Sequence, residues 1–339
     1  MGITQTILVT GGLGYIGSHT VVKLLEQNYR VVILDNLCNS ERGVHSRITQ
    51  ITGKDSIFVE GDIRDHSLVA SIFQSHAIDG VIHFAGLKAV GESQAEPLRY
   101  YDNNVLGSIV LFEEMQTAGV KTLVFSSSAT VYGDSPDTPY HEQLPLNPIN
   151  VYGRTKWMIE QILADLALAQ PQMAIACLRY FNPVGAHTSG LIGENPSGIP
   201  NNLMPYIAQV AIGKRECLRV FGADYPTPDG TGLRDYIHVD DLAEGHILTL
   251  QTLYSRAGLL TVNLGTGIPT SVLQMIAAFE VACGKPIAYE IVERRSGDSA
   301  INFADPSLAK TLLGWQSQYG IERMCADTWR FYQSLSKSL

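Results

Sequence analysis

The chain has 339 residues, of which 45% are hydrophobic and 17% are charged, so it is a globular protein of about two domains rather than a disordered one. A formal net charge of −9 disfavours nucleic acid and acidic membrane surfaces as partners. Five widely separated cysteines and the absence of an apolar run long enough to cross a bilayer predict no metal, no disulfide framework and no membrane, in a cytoplasmic protein.

The first half of the chain alternates short apolar runs with longer amphipathic ones. This pattern predicts strands at 6–10, 30–35, 56–60, 80–84, 122–126 and 173–180, and helices at 15–28, 41–52, 66–75, 97–118 and 151–169. Strands that are apolar at nearly every position are expected where helices cover both faces of a parallel sheet. We therefore predict an α/β fold with a doubly wound parallel sheet of the Rossmann type.

The second half is less regular. Residues 182–232 are rich in Gly, Pro and Asn and contain one predicted helix, 203–212, which indicates a binding segment rather than a plain connection. A helix at 240–254 and a strand at 260–264 follow, and the rest mixes helices with loops. We predict a nucleotide-binding domain from residues 1–181, with 233–266 returning to it, and a smaller interleaved α/β substrate domain from 182–232 and 267–339.

Four glycines lie between the first predicted strand and the first predicted helix. Gly12, Gly14 and Gly17 fit the dinucleotide-binding pattern, and Gly11 with Gly14 and Gly17 fits a three-spaced variant. Side chains here would keep the backbone away from a pyrophosphate, which the free N–H groups of the helix N-terminus bind. Asp35 ends the second strand, where a carboxylate accepts hydrogen bonds from an adenosine ribose and repels a 2′-phosphate. The pattern predicts NAD as the cofactor, with a turn or capping role as the alternative for Asp35.

Two further strand ends lie at the same edge of the predicted sheet. Asp62 and Ile63 follow the third strand, and the acid is placed to reach the adenine amino group. Phe84, Ala85 and Gly86 follow the fourth strand, where small residues let a cofactor lie close; Lys88 comes just after them. The alternative roles are a turn acid and a packing glycine.

A serine, a tyrosine and a lysine follow in the pattern of an acid/base site. Ser128 lies at the end of the fifth strand, and Tyr152 and Lys156 are four residues apart, on one face of the next helix. A phenol has a pKa of about 10 in water, and a nearby ammonium and a cationic nicotinamide ring both favour the phenolate. Ser128 would hydrogen-bond the reacting hydroxyl. A solvated helix face is the alternative for the Tyr-Lys pair.

Together, these motifs resemble the extended short-chain dehydrogenase/reductases, which act mostly on nucleotide sugars. Longer stretches narrow the resemblance to the epimerase branch, which interconverts UDP-galactose and UDP-glucose; they are 9–19, 83–93, 179–187 and 229–239. The resemblance runs essentially from end to end. It implies a tightly bound NAD, removal of the 4-hydroxyl proton by Tyr152, and rotation of the 4-keto sugar before it is reduced on the other face.

The resemblance also implies individual contacts. The cofactor contacts are Gly11, Gly14, Tyr15, Ile16, Gly17, Asp35, Asn36, Asp62, Ile63, Phe84, Ala85, Gly86, Lys88, Asn103, Tyr152, Lys156 and Phe181. The UDP-sugar contacts are Ser128, Tyr152, Asn182, Asn202, Leu203, Phe221, Arg234, Arg295, Asp298 and Asn302. A homodimer is implied as well, formed by the helices at 97–118 and 151–169.

Three residues bear on the reaction and its substrate. Sugar dehydratases of the same family need a carboxyl pair directly after the serine, and this chain has Ala129 and Thr130 there, neither of which is an acid or base at neutral pH. Several bacterial relatives carry a tyrosine where this chain has Asn302, so a larger sugar pocket and turnover of UDP-N-acetylglucosamine and UDP-N-acetylgalactosamine are expected too. A nucleotide-sugar dehydrogenase or reductase and a non-catalytic NAD-sensing protein are the alternatives.

Overall fold

The computed structural model describes residues 5–196, 198, 200, 202–294 and 299–337. Its strands are β1 (Thr6–Thr10), β2 (Arg30–Asp35), β3 (Ile57–Glu60), β4 (Gly80–His83), β5 (Thr122–Ser128), β6 (Ala174–Tyr180), β7 (Asn182–Val184), β8 (Leu218–Phe221), β9 (Leu233–His238), β10 (Gly258–Leu264), β11 (Pro269–Ser271), β12 (Tyr289–Val292) and β13 (Ile301–Asn302). Its helices are α1 (Tyr15–Glu26), α2 (Gly43–Thr52), α3 (His66–Ser75), α4 (Val90–Ala95), α5 (Pro97–Tyr100), α6 (Gly107–Thr117), α7 (Val151–Ala169), α8 (Leu203–Ala211), α9 (Val239–Leu253), α10 (Val272–Cys283), α11 (Ser307–Leu313) and α12 (Ile321–Lys337).

The main sheet has seven parallel strands in the order β10-β6-β5-β4-β1-β2-β3. One apolar core lies between this sheet and the layer that contains α1 and α9, with Leu24 and Leu250 among its members. A second core on the other face includes Leu111 of α6 and Leu163 of α7. The predicted doubly wound Rossmann-type α/β fold is confirmed. The strand order reverses between β1 and β4, and ligands bind at such a point in open α/β sheets.

A second, smaller sheet is built around β9. Strands β7 and β13 pair with it in parallel, and β11 pairs with it antiparallel. Strands β8 and β12 form a separate parallel pair, and α8, α10 and α12 pack into a third apolar core. These short strands pair with partners far away in the chain, so the local sequence pattern did not predict them.

The predicted helix at 97–118 is wrong in its middle. The chain forms α5, then a wider π-helical turn at Tyr101–Leu106, and then α6. Asn104 in that turn is buried, and its amide accepts a hydrogen bond from Leu87 N (2.8 Å) and donates one to Leu87 O (3.0 Å). These bonds fasten the turn to the loop after β4, a tertiary contact that helical periodicity does not reveal.

Two features are absent from the described part of the chain. None of its helices combines the length and the apolar character that a membrane span requires. Its His, Cys, Asp and Glu side chains also form no group of three that would hold a metal ion.

The close packing of Gly17 makes a testable prediction. A Cβ atom on Gly17 would lie 2.2 Å from Gly11 O, whereas a Cβ on Gly91, also in a helix, would meet nothing within 4 Å. We expect Gly17→Ala to lower the free energy of unfolding by about 1–3 kcal/mol, and Gly91→Ala to leave it within about 1 kcal/mol of the wild type. Urea denaturation measures both, and equal stability of the two variants would contradict the prediction.

Candidate active site

A cleft of about 640 Å³ opens at the carboxyl edge of the main sheet. Its walls are the glycine turn before α1, the loops after β2 and β4, one side of α7, and part of the segment 192–205. Every predicted cofactor contact lines this cleft except Asp62 and Phe181. Among the predicted substrate contacts that the structure describes, Tyr152 and Asn202 line it. The strand ends that the sequence pattern placed at one edge therefore do meet in one cavity.

The glycine turn holds the backbone in a shape that side chains would prevent. Gly11 has a positive φ of 68°, and a Cβ atom there would lie 2.8 Å from Ala85 N. The turn therefore packs directly on the loop after β4. It leads into α1, whose N-cap residue, Gly14, offers no side-chain cap. Bare backbone at a helix N-terminus is the surface to which a pyrophosphate binds, so this part of the cleft fits a dinucleotide.

Asp35 connects the glycine turn to the loop after β2. Its carboxylate accepts hydrogen bonds from Leu13 N (3.0 Å), Leu37 N (2.9 Å) and Ser40 Oγ (2.8 Å). The side chain therefore orders two loops, which is the turn role that the sequence left open. Because two carboxylate oxygens offer about four acceptor positions, a ribose hydroxyl can still bind there.

Asp62 lies beside the cleft rather than in its lining. Its carboxylate accepts hydrogen bonds from Arg64 and from Asn36 Nδ2 (3.1 Å), and the bonds from Arg64 hold its pKa well below the usual range. Ile63, the next residue, does line the cleft. Phe181 is buried in an apolar cluster with Tyr132 and Tyr140.

Tyr152, Lys156 and Ser128 lie together, as the sequence pattern predicted. Lys156 Nζ donates a hydrogen bond to Ser126 O (2.6 Å) and lies 5.9 Å from the centre of the Tyr152 ring. Burial lowers the pKa of Lys156 to about 8, an effect that the charge of Glu160 opposes. Burial raises the pKa of Tyr152 to about 12, and a hydrogen bond with Ser128 acts in the opposite direction. A positive charge near the phenol is therefore required for it to act as a base near neutral pH.

A buried ion pair between Glu160 and Arg179 contacts the strand that carries Ser128. Glu160 accepts hydrogen bonds from Arg179 Nε (3.0 Å) and Nη2 (2.6 Å) and from the Ser127 hydroxyl (2.5 Å). Lys156 and Glu160, one turn apart on α7, thus hold two successive residues of β5 directly before Ser128. Glu160 was not predicted as a site residue, although its position four residues after Lys156 on the same helical face is a usable signal.

Tyr180 is a second residue of the site that was not predicted from the sequence. It lines the cleft at the end of β6, in register with Ser128, and its hydroxyl donates a hydrogen bond to the Ser126 hydroxyl. Burial raises its pKa above the usual value. Its place at the same sheet edge as Ser128 would have pointed to it, because the carboxyl ends of neighbouring parallel strands meet there.

Several predicted substrate contacts fall on the smaller sheet and its surroundings. Arg234 of β9 and Asn302 of β13 are paired in register, and Asn182 of β7 is paired with Tyr236 of β9. Leu203 begins α8, and Phe221 ends β8. Arg295 and Asp298, the other two predicted contacts, lie outside the described residues.

Comparisons with known proteins agree over nearly the whole chain. A model of the NAD dependent epimerase/dehydratase family matches residues 7–265. A UDP-glucose 4-epimerase of Yersinia pestis is 58% identical over 326 residues, 96% of this chain and 96% of that protein. The enzyme of the same name from Bacillus subtilis is 57% identical over 330 residues, 97% of each chain.

Solved structures also match this chain over nearly its whole length. The UDP-glucose-4-epimerase of Stenotrophomonas maltophila, with bound NAD and formylated UDP-arabinopyranose, has a TM-score of 0.97 and 54% identity, covering 99% of this chain and 100% of that one. The Bifidobacterium longum enzyme, in complex with NAD+ and UDP, has a TM-score of 0.95 and 48% identity, covering 99% of this chain and 100% of that one.

The fold and the site define a dinucleotide-binding α/β enzyme with a tyrosine and a lysine one helical turn apart at the cofactor cleft. The chain belongs to the NAD dependent epimerase/dehydratase family. The resemblance seen in the sequence is thereby confirmed.

The buried ion pair between Glu160 and Arg179 leads to a second testable prediction. The side chains of Glu160 and Arg179 are only 8% and 6% exposed, so removing one partner leaves an unpaired buried charge. We expect Glu160→Ala to lower the free energy of unfolding by about 3–5 kcal/mol, measured by urea denaturation. Glu290→Ala, which breaks the exposed pair with Arg219, is the matched control and should cost at most about 1 kcal/mol. A loss in Glu160→Ala no larger than in the control would refute the prediction.

Proposed function

We propose that this protein is a UDP-sugar 4-epimerase that interconverts UDP-galactose and UDP-glucose with a tightly bound NAD. The observation that carries the proposal is that Tyr152 and Lys156 lie together in the cleft that the glycine turn opens, with Ser128 hydrogen-bonded to Tyr152. The relatives at 57–58% identity carry the same activity in their names, which favours the epimerase over a net dehydrogenase or reductase.

Bound NAD supplies a reversible two-electron oxidation at C4 of the sugar. The chain's own residues would move the proton: Tyr152 removes it from the 4-hydroxyl and later returns it. Lys156 favours the phenolate, because with a pKa of about 8 it is mostly protonated at neutral pH. Ser128 hydrogen-bonds the phenol and is placed to orient the sugar hydroxyl.

The residues after Ser128 favour epimerisation over dehydration. Ala129 and Thr130 begin a short 3₁₀ turn directly after β5. Removing a C5 proton and a hydroxyl would require acid and base groups there, and neither side chain is one at neutral pH. The site therefore supports oxidation and reduction at C4 alone.

For the substrate we propose contacts on both sides of the cleft. Asn202 lines it directly, and Asn182, Arg234 and Asn302 lie on the small sheet centred on β9. We assign the diphosphate and ribose to Arg234, Arg295 and Asp298, with Leu203 and Phe221 beside the nucleotide. Arginine suits a diphosphate because its planar guanidinium donates two hydrogen bonds at once.

We further propose that residues 1–181 and 233–266 bind NAD and that residues 182–232 and 267–339 bind the UDP-sugar. Strand β9 joins the two parts, since it belongs to the small sheet and leads directly into α9, which packs on α1.

We expect a cytoplasmic homodimer that binds no nucleic acid, formed through the segment 97–118 and α7. Exposed apolar side chains on both elements support this surface: Leu98 (80% exposed) and Leu106 on the first, and Met158 and Leu168 (80%) on the second.

The activity is tested by mixing pure protein with UDP-galactose, without added NAD, and measuring UDP-glucose. We expect wild-type turnover and a loss of about 10²–10⁴-fold in Tyr152→Phe, because the phenylalanine variant has no group to move the proton. Tyr254→Phe, a change at an exposed position that directly follows α9 and does not line the cleft, is the control and should match the wild type. Release of one NADH per sugar, instead of UDP-glucose, would establish the dehydrogenase in place of the epimerase.

Asn302 is the basis of a prediction about substrate range. Asparagine is smaller than the tyrosine of several bacterial relatives, so we expect the wild type to convert UDP-N-acetylglucosamine as well. Asn302→Tyr should lose at least about tenfold of that activity while keeping most of its activity on UDP-galactose, since a steric block acts on the larger sugar alone. Turnover of both sugars by both proteins provides the measurement. No activity of the wild type on the acetylated sugar would reject the prediction.

A further inference from the structure

Glu194 joins the two sides of the cleft through a single carboxylate oxygen. Its Oε1 accepts a hydrogen bond from Lys88 Nζ (2.8 Å) and another from Asn202 Nδ2 (2.7 Å). Lys88 lies in the loop after β4 of the main sheet, and Asn202 directly precedes α8. All three residues line the cleft.

The surroundings of Glu194 make it a firm point of attachment. Its side chain is only 11% exposed, although that of Lys88 is 52% exposed. Its backbone oxygen accepts a hydrogen bond from the Tyr332 hydroxyl of α12 (3.0 Å). The preceding residue, Gly193, pairs with Ala186 and packs so closely on Phe331 that a Cβ atom would lie 2.6 Å from its ring. Glu194 is thus anchored to α12, while its carboxylate extends into the cleft.

Asn202 is oriented by this carboxylate rather than by its own helix. It occupies the N-cap position of α8, where an asparagine side chain commonly accepts a hydrogen bond from the helix backbone, but it makes no such bond here. Its amide donates to Glu194 instead. The bond to Glu194 therefore sets the orientation of the Asn202 amide, including its oxygen. This amide lies in the part of the cleft where we propose that the substrate binds.

We propose that Glu194 is a positioning residue that couples cofactor retention to substrate binding. By holding Lys88, it keeps the segment that contains residues 192–196 against the nucleotide-binding side of the cleft; by holding Asn202, it sets the amide that meets the UDP-sugar. An ammonium has three donors, so Lys88 can pair with Glu194 and still bind a cofactor oxygen. This inference rests on the proposed function only for the identity of the two ligands.

Two substitutions separate the two bonds. Glu194→Ala removes both, and we expect NAD to dissociate about tenfold faster and UDP to bind about tenfold more weakly, since each bond involves a charged group. Glu194→Gln keeps an acceptor for Asn202 but removes the charge opposite Lys88. It should therefore restore UDP affinity to within about threefold of the wild type while NAD still dissociates about three- to tenfold faster.

The experiment uses NAD-loaded protein. NAD that remains bound is quantified at intervals after rapid desalting, and UDP affinity is measured by calorimetry on the loaded protein. Lys88→Met and the double variant Lys88→Met/Glu194→Gln complete a mutant cycle for NAD release. If the two side chains act as one unit, the double variant releases NAD no faster than Lys88→Met, whereas independent effects would multiply. Glu290→Gln, which breaks the exposed pair with Arg219, is the control and should change neither quantity.

The outcomes are decisive in either direction. Wild-type NAD release and UDP affinity in Glu194→Ala would overturn the proposal, as would a Glu194→Gln variant that binds UDP as weakly as Glu194→Ala does. Multiplicative effects in the cycle would also overturn it. Both readouts are independent of turnover. A wild type that binds NAD and UDP without converting UDP-galactose would therefore reject the proposed function. The role of Glu194 would still be decided by the mutant cycle.

Discussion

The site depends on the buried ammonium of Lys156. Lys156 is 4% exposed, and its charge is compensated by the Ser126 carbonyl, by the face of the Phe125 ring at 4.8 Å and by Glu160 one turn further along α7. Burying a charge is unfavourable unless such partners are in place. The same burial makes the ammonium effective, because the field of a charge reaches further in a medium from which water is excluded.

The requirement to hold that charge explains the polar interior of β5, β6 and α7. Glu160 is itself a buried charge, and the planar guanidinium of Arg179 compensates it with two hydrogen bonds. Arg179 is stabilised in turn by the Tyr132 hydroxyl at 3.0 Å, whose own hydrogen bond goes to Asn263 Oδ1 at 2.7 Å. Each of these four buried side chains thus has a partner on another element of the fold. The network connects α7, the helix that carries Tyr152 and Lys156, to β5 and β6 of the main sheet, and such a rigid support is what a precisely positioned site requires.

The predictions from sequence agree best with the structure where the local sequence signals all indicate the same element. The predicted bounds of α3 and α7 are confirmed, because an amphipathic pattern and a capping residue, Asp65 or Asn150, mark where each begins. The π-helical turn at Tyr101–Leu106 was not predicted, since it depends on hydrogen bonds between Asn104 and Leu87, 17 residues earlier in the chain, which a helical period does not reveal. The roles assigned to the individual site residues stay predictions, although most of those residues are brought together in one cleft.

By itself the sequence determined the fold class, the edge of the sheet at which ligands bind, and the grouping of Tyr152 with Lys156 and Ser128. These follow from short-range rules: period, glycine spacing, and the fact that residues four apart share a helical face. Only the tertiary structure decided how Glu194 meets Lys88, 106 residues away in the chain, and how Glu160 meets Arg179. No repeating sequence pattern indicates which charged side chains will pair over such a separation. Their partners are determined when the folded backbone brings particular atoms within hydrogen-bonding distance.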